Sequence, residues 1–263
     1  MAGPNKLLGQ HWLTDRDILS TIADEADLSQ TDTVLEIGPG LGTLTSVLLR
    51  RSERVVAVEF DSDLARKLPG QFPGTPLEVH NEDFLHFDLD QLPEGYKVVA
   101  NVPYYITAKI ISRLLSAANK PSVAVLLVQK EVAERLAAAP GAMSVLAVSA
   151  QVTSEVTLGP VIKSEYFTPP PKVDSQVVIL KTRREGALAG LDEAAFFRVV
   201  KAGFSERRKK LRSSIAGGLQ LPKPDAEALL ERAGLSGDSR AQDLSIEQWV
   251  RLSQAFLANE RVL

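Results

Sequence analysis

Residues 34–48 restrict the fold more than any other stretch. Val34-Leu35-Glu36-Ile37 is a short apolar run, and Gly38-Pro39-Gly40-Leu41-Gly42 is a turn. The chain then opens a helical pattern at Thr43, with Leu44, Val47 and Leu48 on one face. Strand, glycine turn and helix in that order begin a βαβ unit. Glycines let the main chain approach a ligand closely, and the helix N-terminus behind them favours negative charge.

The same alternation recurs down the chain. Val55-Val56-Ala57-Val58 ends at Glu59, and Leu77-Glu78-Val79 leads into Glu82-Asp83-Phe84. Val98-Val99-Ala100 ends at Asn101, and Val123 to Val128 is apolar throughout. Helical spacing separates these runs at Ile110, Ile111, Leu114 and Leu115, at Glu131 to Ala139, and around Leu146 and Val148. An earlier helix carries Ile18, Leu19, Ile22 and Ala23, with Thr14 or Asp15 to cap it. The pattern predicts an α/β fold, Rossmann-like and doubly wound, with a mostly parallel sheet covered on both faces. Ligands of such sheets bind at the carboxyl ends of the strands, where Gly38, Glu59, Asp83 and Asn101 all fall. After Pro169-Pro170-Pro171, which no helix or inner strand accepts, Gln176 to Leu180 resumes as a strand.

Past residue 187 the β pattern stops. Phe196 to Val200 marks one helix, and Leu229-Leu230 and Trp249 to Phe256 mark two more. The expected domains are 1–186 and 187–263, a small all-helical domain, with a linker at Gly186 to Gly190. Residues 1–186 hold 18 Lys+Arg against 23 Asp+Glu, whereas 187–263 hold 12 against 10. Five of those 12 cations are Arg207, Arg208, Lys209, Lys210 and Arg212. A solvated helix face is one reading of that run; its density against the acidic trend favours phosphate contact. A hydrophobic content of 44% is ordinary for a chain with a core. The absence of cysteine excludes disulfides and thiolate zinc sites, and His11, His80 and His86 lack ligand spacing. With no long apolar run and no secretion signal at the start, the chain reads as cytoplasmic, metal-free and monomeric.

Chemistry concentrates at Asn101-Val102-Pro103-Tyr104. An amide acceptor, a backbone carbonyl beside Pro103 and a flat aromatic face suit a planar amine. A capped strand-to-helix turn would explain Asn101 and Pro103 but not Tyr104. Glu59, about twenty residues beyond the glycines, suits ribose hydroxyls. Nicotinamide enzymes share that pairing, but here Thr43 takes the place of the third glycine of their fingerprint. Asp83 can accept from an adenine amine with Phe84 beside it. Phe167 either plugs the core edge or faces an extruded base.

Taken in order, Gly9-Gln10-His11-Trp12-Leu13, Glu36-Ile37-Gly38-Pro39-Gly40-Leu41-Gly42, Glu59, Glu82-Asp83-Phe84, Asn101-Val102-Pro103-Tyr104 and Phe167-Thr168-Pro169-Pro170-Pro171-Lys172-Val173-Asp174-Ser175 resemble the ribosomal RNA adenine dimethyltransferases. Lys201 through Arg212 is similar to the KsgA (RsmA, Dim) branch, with the Erm enzymes as close neighbours. The resemblance covers nearly the whole chain. It implies S-adenosylmethionine as donor and two adjacent adenosines near the 3′ end of small-subunit (16S) rRNA as substrate, within an immature subunit. It further implies cofactor contacts from Gln10, His11, Leu13, Gly38, Gly40, Glu59, Asp83, Phe84 and Asn101. Asn101, Pro103 and Tyr104 then match the catalytic motif, and Phe167 the late stacking aromatic. The chain departs from the family at His11 and Tyr105, where Asn is common, and at Trp12, where Phe is usual. The alternatives are a dinucleotide dehydrogenase, a DNA adenine methyltransferase, an Erm-like large-subunit enzyme and a non-catalytic assembly factor. The first leaves the Asn101 motif unexplained, and the second lacks a target-recognition domain of adequate size.

Overall fold

The computed structural model describes residues 10–183, 187–188, 190–206 and 208–260, with backbone alone at 259–260. In chain order the elements are β1 (Trp12–Leu13), α1 (Arg16–Asp24), β2 (Thr33–Ile37), α2 (Thr43–Leu48), β3 (Arg54–Glu59), α3 (Ser62–Gln71) and β4 (Leu77–Asn81). There follow β5 (Lys97–Asn101), α4 (Thr107–Ser116), β6 (Val123–Gln129), α5 (Lys130–Leu136), α6 (Val145–Thr153), β7 (Ser154–Ile162), β8 (Phe167–Thr168) and β9 (Ser175–Thr182). Four helices complete the chain: α7 (Glu193–Phe204), α8 (Leu211–Leu219), α9 (Lys223–Arg232) and α10 (Ile246–Glu260). Among the described residues no helix is long and apolar enough to cross a membrane.

One compact unit takes residues up to 134 together with 155–182. Its sheet runs β4-β3-β2-β5-β6-β9-β7. The five strands from β4 to β6 are parallel, and β9 pairs antiparallel with β6. Alternate residues of a strand share one face, so Val34, Val55, Val99 and Val125 form a single apolar surface. Leu19 and Ile22 of α1 and Leu44, Val47 and Leu48 of α2 are buried against it. Asp15 caps α1, accepting from the backbone N–H groups of Asp17 and Ile18 at 3.0 and 3.1 Å. At Gly42 the backbone has φ +77°, and an added Cβ would lie 2.7 Å from Leu68 Cδ1. That glycine brings the loop down onto α3.

The second unit joins 135–154 to the residues from 183 on. The single boundary expected at 186 is therefore corrected, because the division cuts the chain on both sides of α6. Val148 and Val152 of α6 are buried with Phe196, Val199, Trp249 and Phe256. A helix apolar on nearly every side must be buried all round, and sequence order does not say in which core. The linker expected at Gly186 to Gly190 falls partly outside the described residues. The expected helix from Glu131 to Ala139 stops at Leu136.

β1, α3, β7, β8 and α8 were not anticipated, and two of them show why. β7 carries Gly159 and Pro160 and a mixed burial pattern, so it shows no apolar run. α8 carries two serines and Gly217-Gly218, all weak helix formers, and forms because α7 packs against it. An added Cβ at Gly218 would lie 2.5 Å from Ala202 Cα, whereas one at Gly217 would meet only Glu206 Oε1 at 3.8 Å. Gly218→Ala is expected to destabilise the protein by about 1–3 kcal/mol through overpacking. Gly217→Ala is expected to be neutral or to stabilise by up to about 1 kcal/mol. Urea unfolding of both variants checks the pair, and equal effects would show that the α7–α8 approach is not tight.

Candidate active site

β3 and β4 lie on one side of β2, and β5 lies on the other. Strand order thus reverses at the β2–β5 pair, and the connections leaving their carboxyl ends diverge to open a crevice. The turn after β2 and the Asn101 motif after β5 enter it from opposite sides. A Cβ added at Gly38 would be 3.9 Å from the Pro103 ring. The crevice forms a cavity of about 460 Å³, within the range of small-ligand sites. Gln10, His11, Leu13, Gly38, Gly40 and Glu59 line it, as do Asp83, Phe84, Asn101, Pro103 and Tyr104. Of the residues anticipated for the catalytic motif and cofactor, only Phe167 is absent from this lining.

Glu59 ends β3 and is 6% exposed. One carboxylate oxygen accepts from Gly40 N–H at 3.0 Å and the other from Asp61 N–H at 2.9 Å. Burial raises its pKa, and those backbone bonds oppose the shift. Each oxygen retains a lone pair for a hydroxyl donor. Asp83 is turned in part towards its own chain, accepting from Leu85 N–H at 2.9 Å.

Asn101 is fixed by the N-terminal segment. Its Nδ2 donates to the main-chain carbonyl of His11 at 3.3 Å. Because that partner is an acceptor, the amide orientation is decided, and Oδ1 is the atom left for a ligand. His11 is itself held on two sides. Its Nδ1 pairs with the Pro169 carbonyl at 2.7 Å, so that nitrogen carries the proton. Its ring stacks on Tyr104 with centroids 5.5 Å apart. The Tyr104 hydroxyl bonds Ser175 Oγ at 2.5 Å, and burial raises the phenol pKa, so it stays neutral at ordinary pH. β1 pairs antiparallel with β8, matching Trp12 with Thr168 and Leu13 with Phe167. His11 thus packs beside Asn101 and Tyr104 while also lining the cavity.

Phe167 requires a correction. Its ring is 2% exposed and belongs to the core with Leu13, Leu19, Ile162 and Val177. In β8 successive side chains face opposite ways, and the pairing with β1 turns residue 167 inward and Thr168 outward. The core-plug reading replaces the stacking one.

Glu36, Phe60 and Tyr105 are among the lining residues to which the sequence assigned no role. Glu36, in β2, is 1% exposed and accepts from Thr45 Oγ1 at 2.6 Å. Burial pushes its carboxyl up to about 8. An acid inside an apolar strand was the available sign. Phe60 and Tyr105 line the same cavity while 59% and 60% exposed. Large rings directly after Glu59 and Tyr104 were legible as unusual, but their exposure was not.

In the helical unit the basic run is not unopposed. Arg207 lies outside the described residues. Lys209 pairs with Glu206 at 2.5 Å, and Asp238 pairs with both Lys210, at 2.8 Å, and Arg212, at 3.1 Å. The hydrogen bond from Lys210 and the charge of Arg212 hold the Asp238 carboxyl below its usual range. Arg208 to Lys210 precede α8, and only Arg212 is on it, so the run is not a helix face. Among the described residues no group of three or more acids or histidines could hold a metal.

The family model described as ribosomal RNA adenine dimethylase matches residues 2–257. The chain belongs to that family. It is similar to the Ribosomal RNA small subunit methyltransferase A of Dehalococcoides mccartyi, 40% identical over 258 residues, which are 97% of this chain and 89% of that one. The protein of that name from Geobacter sulfurreducens is 39% identical, with 96% of this chain and 95% of the relative covered. Among solved structures, a dimethyladenosine transferase from Plasmodium falciparum superposes with a TM-score of 0.84 at 27% identity, covering 95% of this chain and 98% of that one. The 23S rRNA methyltransferase ErmE superposes at 0.74 with 31% identity, covering 93% and 98%. Family membership makes the chain a methyltransferase of the class I fold, and members of this family use S-adenosylmethionine.

The buried acid gives a test of the site's electrostatics. Glu36 has a folded-state pKa of about 8 against its ordinary 4.5, so between those values the folded chain keeps a proton that the unfolded chain releases. Stability therefore falls as pH rises through that window, by at most about 1.4 kcal/mol per pH unit. Glu36→Gln, which keeps an acceptor for Thr45, is expected to lose this slope. Urea unfolding from pH 5 to 8 reads it, and parallel curves for the two proteins would remove the assignment.

Proposed function

We propose that this protein transfers methyl groups from S-adenosylmethionine to the N6 amines of two adjacent adenosines near the 3′ end of 16S rRNA, within an immature small subunit in the cytoplasm. The observation that carries the reading is Asn101, an amide with its nitrogen tied to His11 and its oxygen left over at a strand-order reversal. The donor fits the residues present. Glu59 offers acceptors for ribose hydroxyls, Phe60 a face for the adenine, and Asp83 an acceptor for its amine. The Trp12 indole N–H, buried in the cavity wall, has no acceptor among the described residues and suits a ligand oxygen.

When bound, S-adenosylmethionine supplies a methyl group on a positively charged sulfur. The protein's task is to prepare the other reactant, since an adenine amine is conjugated and a poor nucleophile. Asn101 Oδ1 accepts one N6–H. The Pro103 carbonyl is already taken by Ile106 N–H and the Thr107 hydroxyl, so Val102 is the residue whose carbonyl takes the second. Holding both bonds would draw the nitrogen towards a tetrahedral shape and free its lone pair for the methyl group that the donor would supply, with the surplus N6 proton passing to water. Tyr104 offers the base the ring face that His11 does not cover. None of these groups is a base at neutral pH, so the acceleration is positional, for which roughly 7–11 kcal/mol is available.

A large-subunit target is the second reading, favoured by the likeness to ErmE. Relatives at 36–40% identity carrying the small-subunit name support the first. Methyl transfer measured on immature small-subunit particles and on large-subunit RNA decides between them. In that assay Asn101→Ala is expected to lose about 100-fold or more in turnover with donor affinity little changed. Glu59→Ala should instead weaken the donor by about 10- to 150-fold, the worth of a charged hydrogen bond. If calorimetry and turnover fall together in both variants, the division of labour is wrong.

The helical unit is proposed to contact RNA phosphates through Arg207, Arg208, Lys209, Lys210 and Arg212. The acids Glu206 and Asp238 temper that charge. Replacing Arg208, Lys209, Lys210 and Arg212 by Gln is expected to weaken RNA binding and flatten its dependence on salt. An unaltered salt slope would return the run to a solvated surface.

A further inference from the structure

Tyr105 has no part in holding Asn101, in the Glu59 pocket or in the core. It occupies a single 3-10 turn, Tyr104–Ile106, between Pro103 and α4. Its ring is 60% exposed and lines the mouth of the cavity. Lys109, four residues further on, is also exposed and lines the same cavity. An aromatic face and a flexible cation at one rim match an unstacked nucleotide, with ring against base and ammonium against phosphate.

The neighbouring rings say which nucleotide. Phe167 is in the core and stacks on nothing in the cavity. Tyr104 is half-buried, with one face on His11 and its hydroxyl on Ser175, so it belongs to the floor beside Asn101. A base whose amine reaches Asn101 meets Tyr104 first. Tyr105, further into solvent, meets the adjoining nucleotide of the strand. Resting on the adenosine-methylating reading above, we infer that Tyr105 stacks on the base next to the target adenosine, and that Lys109 holds the phosphate of that nucleotide. Tyr105 is then a positioning residue: it fixes the strand so that the target base enters the cavity in one register.

The test uses the full chain, an RNA hairpin carrying the two adjacent adenosines, and the same hairpin with an abasic site beside the target. Tyr105→Ala is expected to weaken binding of the intact hairpin by about 5- to 150-fold, the range for losing one stacked base. Tyr105→Phe should restore wild-type binding. Donor affinity and thermal stability should not move in either variant, because the ring is mostly in water. On the abasic hairpin, wild type and Tyr105→Ala should bind alike. Lys109→Gln should flatten the plot of log affinity against log salt by about 0.7, the contribution of one single-strand phosphate.

An alanine effect of equal size on the abasic hairpin would overturn the stacking. So would an effect seen only on whole ribosomal particles, which would assign the ring to a protein contact. Failure of the wild type to bind RNA or methylate adenosine in particles sinks the functional reading and takes this inference with it. A wild type that is active while Tyr105→Ala matches it sinks the inference alone.

Discussion

The reversal of strand order at β2 and β5 is the constraint from which the site follows. Parallel strands need crossover helices, and the hand of those crossovers is fixed, so growing the sheet in both directions from β2 leaves one gap uncovered. The glycine turn and the Asn101 motif face each other across that gap because each follows one of the two strands that flank it. The register keeps their approach: Asn101 is paired with Leu127 at the last rung of β5, and Val102 N–H bonds the Leu127 carbonyl at 3.1 Å. The backbone leaves the sheet only after that bond, which aims residues 103–105 into the cavity.

Much of this was legible because it depends on strand ends. Short apolar runs mark parallel strands, their last residues mark the carboxyl edge, and Glu59 and Asn101 stand there as polar residues after apolar ones. What was not legible depends on pairing between distant segments. Phe167 could not be placed from the sequence because a two-residue strand has no periodicity of its own, and only its register with Leu13 turns it inward. Asp238 was missed as the partner of Lys210 because it lies 28 residues away in an exposed loop. The place of α6 in the helical core could not be read from a helix apolar on most sides. α8 was hidden by glycines whose merit is to let another helix come close.

The cavity places two buried carboxyl groups beside a site proposed for a cationic donor. Glu36 is mostly protonated at neutral pH, and Glu59 is stabilised as an anion by two backbone donors while burial works against it. Burial thus raises both carboxyls, and the proton on Glu36 is held deeper in the sheet. Such an arrangement offers acceptors without concentrating two charges in a poorly solvated pocket.

The strap formed by β1 and β8 joins positions that lie far apart in the chain; His11 meets Pro169 across 158 residues. During synthesis the glycine turn, Glu59 and Asn101 all leave the ribosome before residue 169 exists. Until that later segment docks, His11 has only its stack on Tyr104, and the carbonyl that meets Asn101 is half secured. The alignment of that amide is therefore completed only when residues 167–169 have folded against β1.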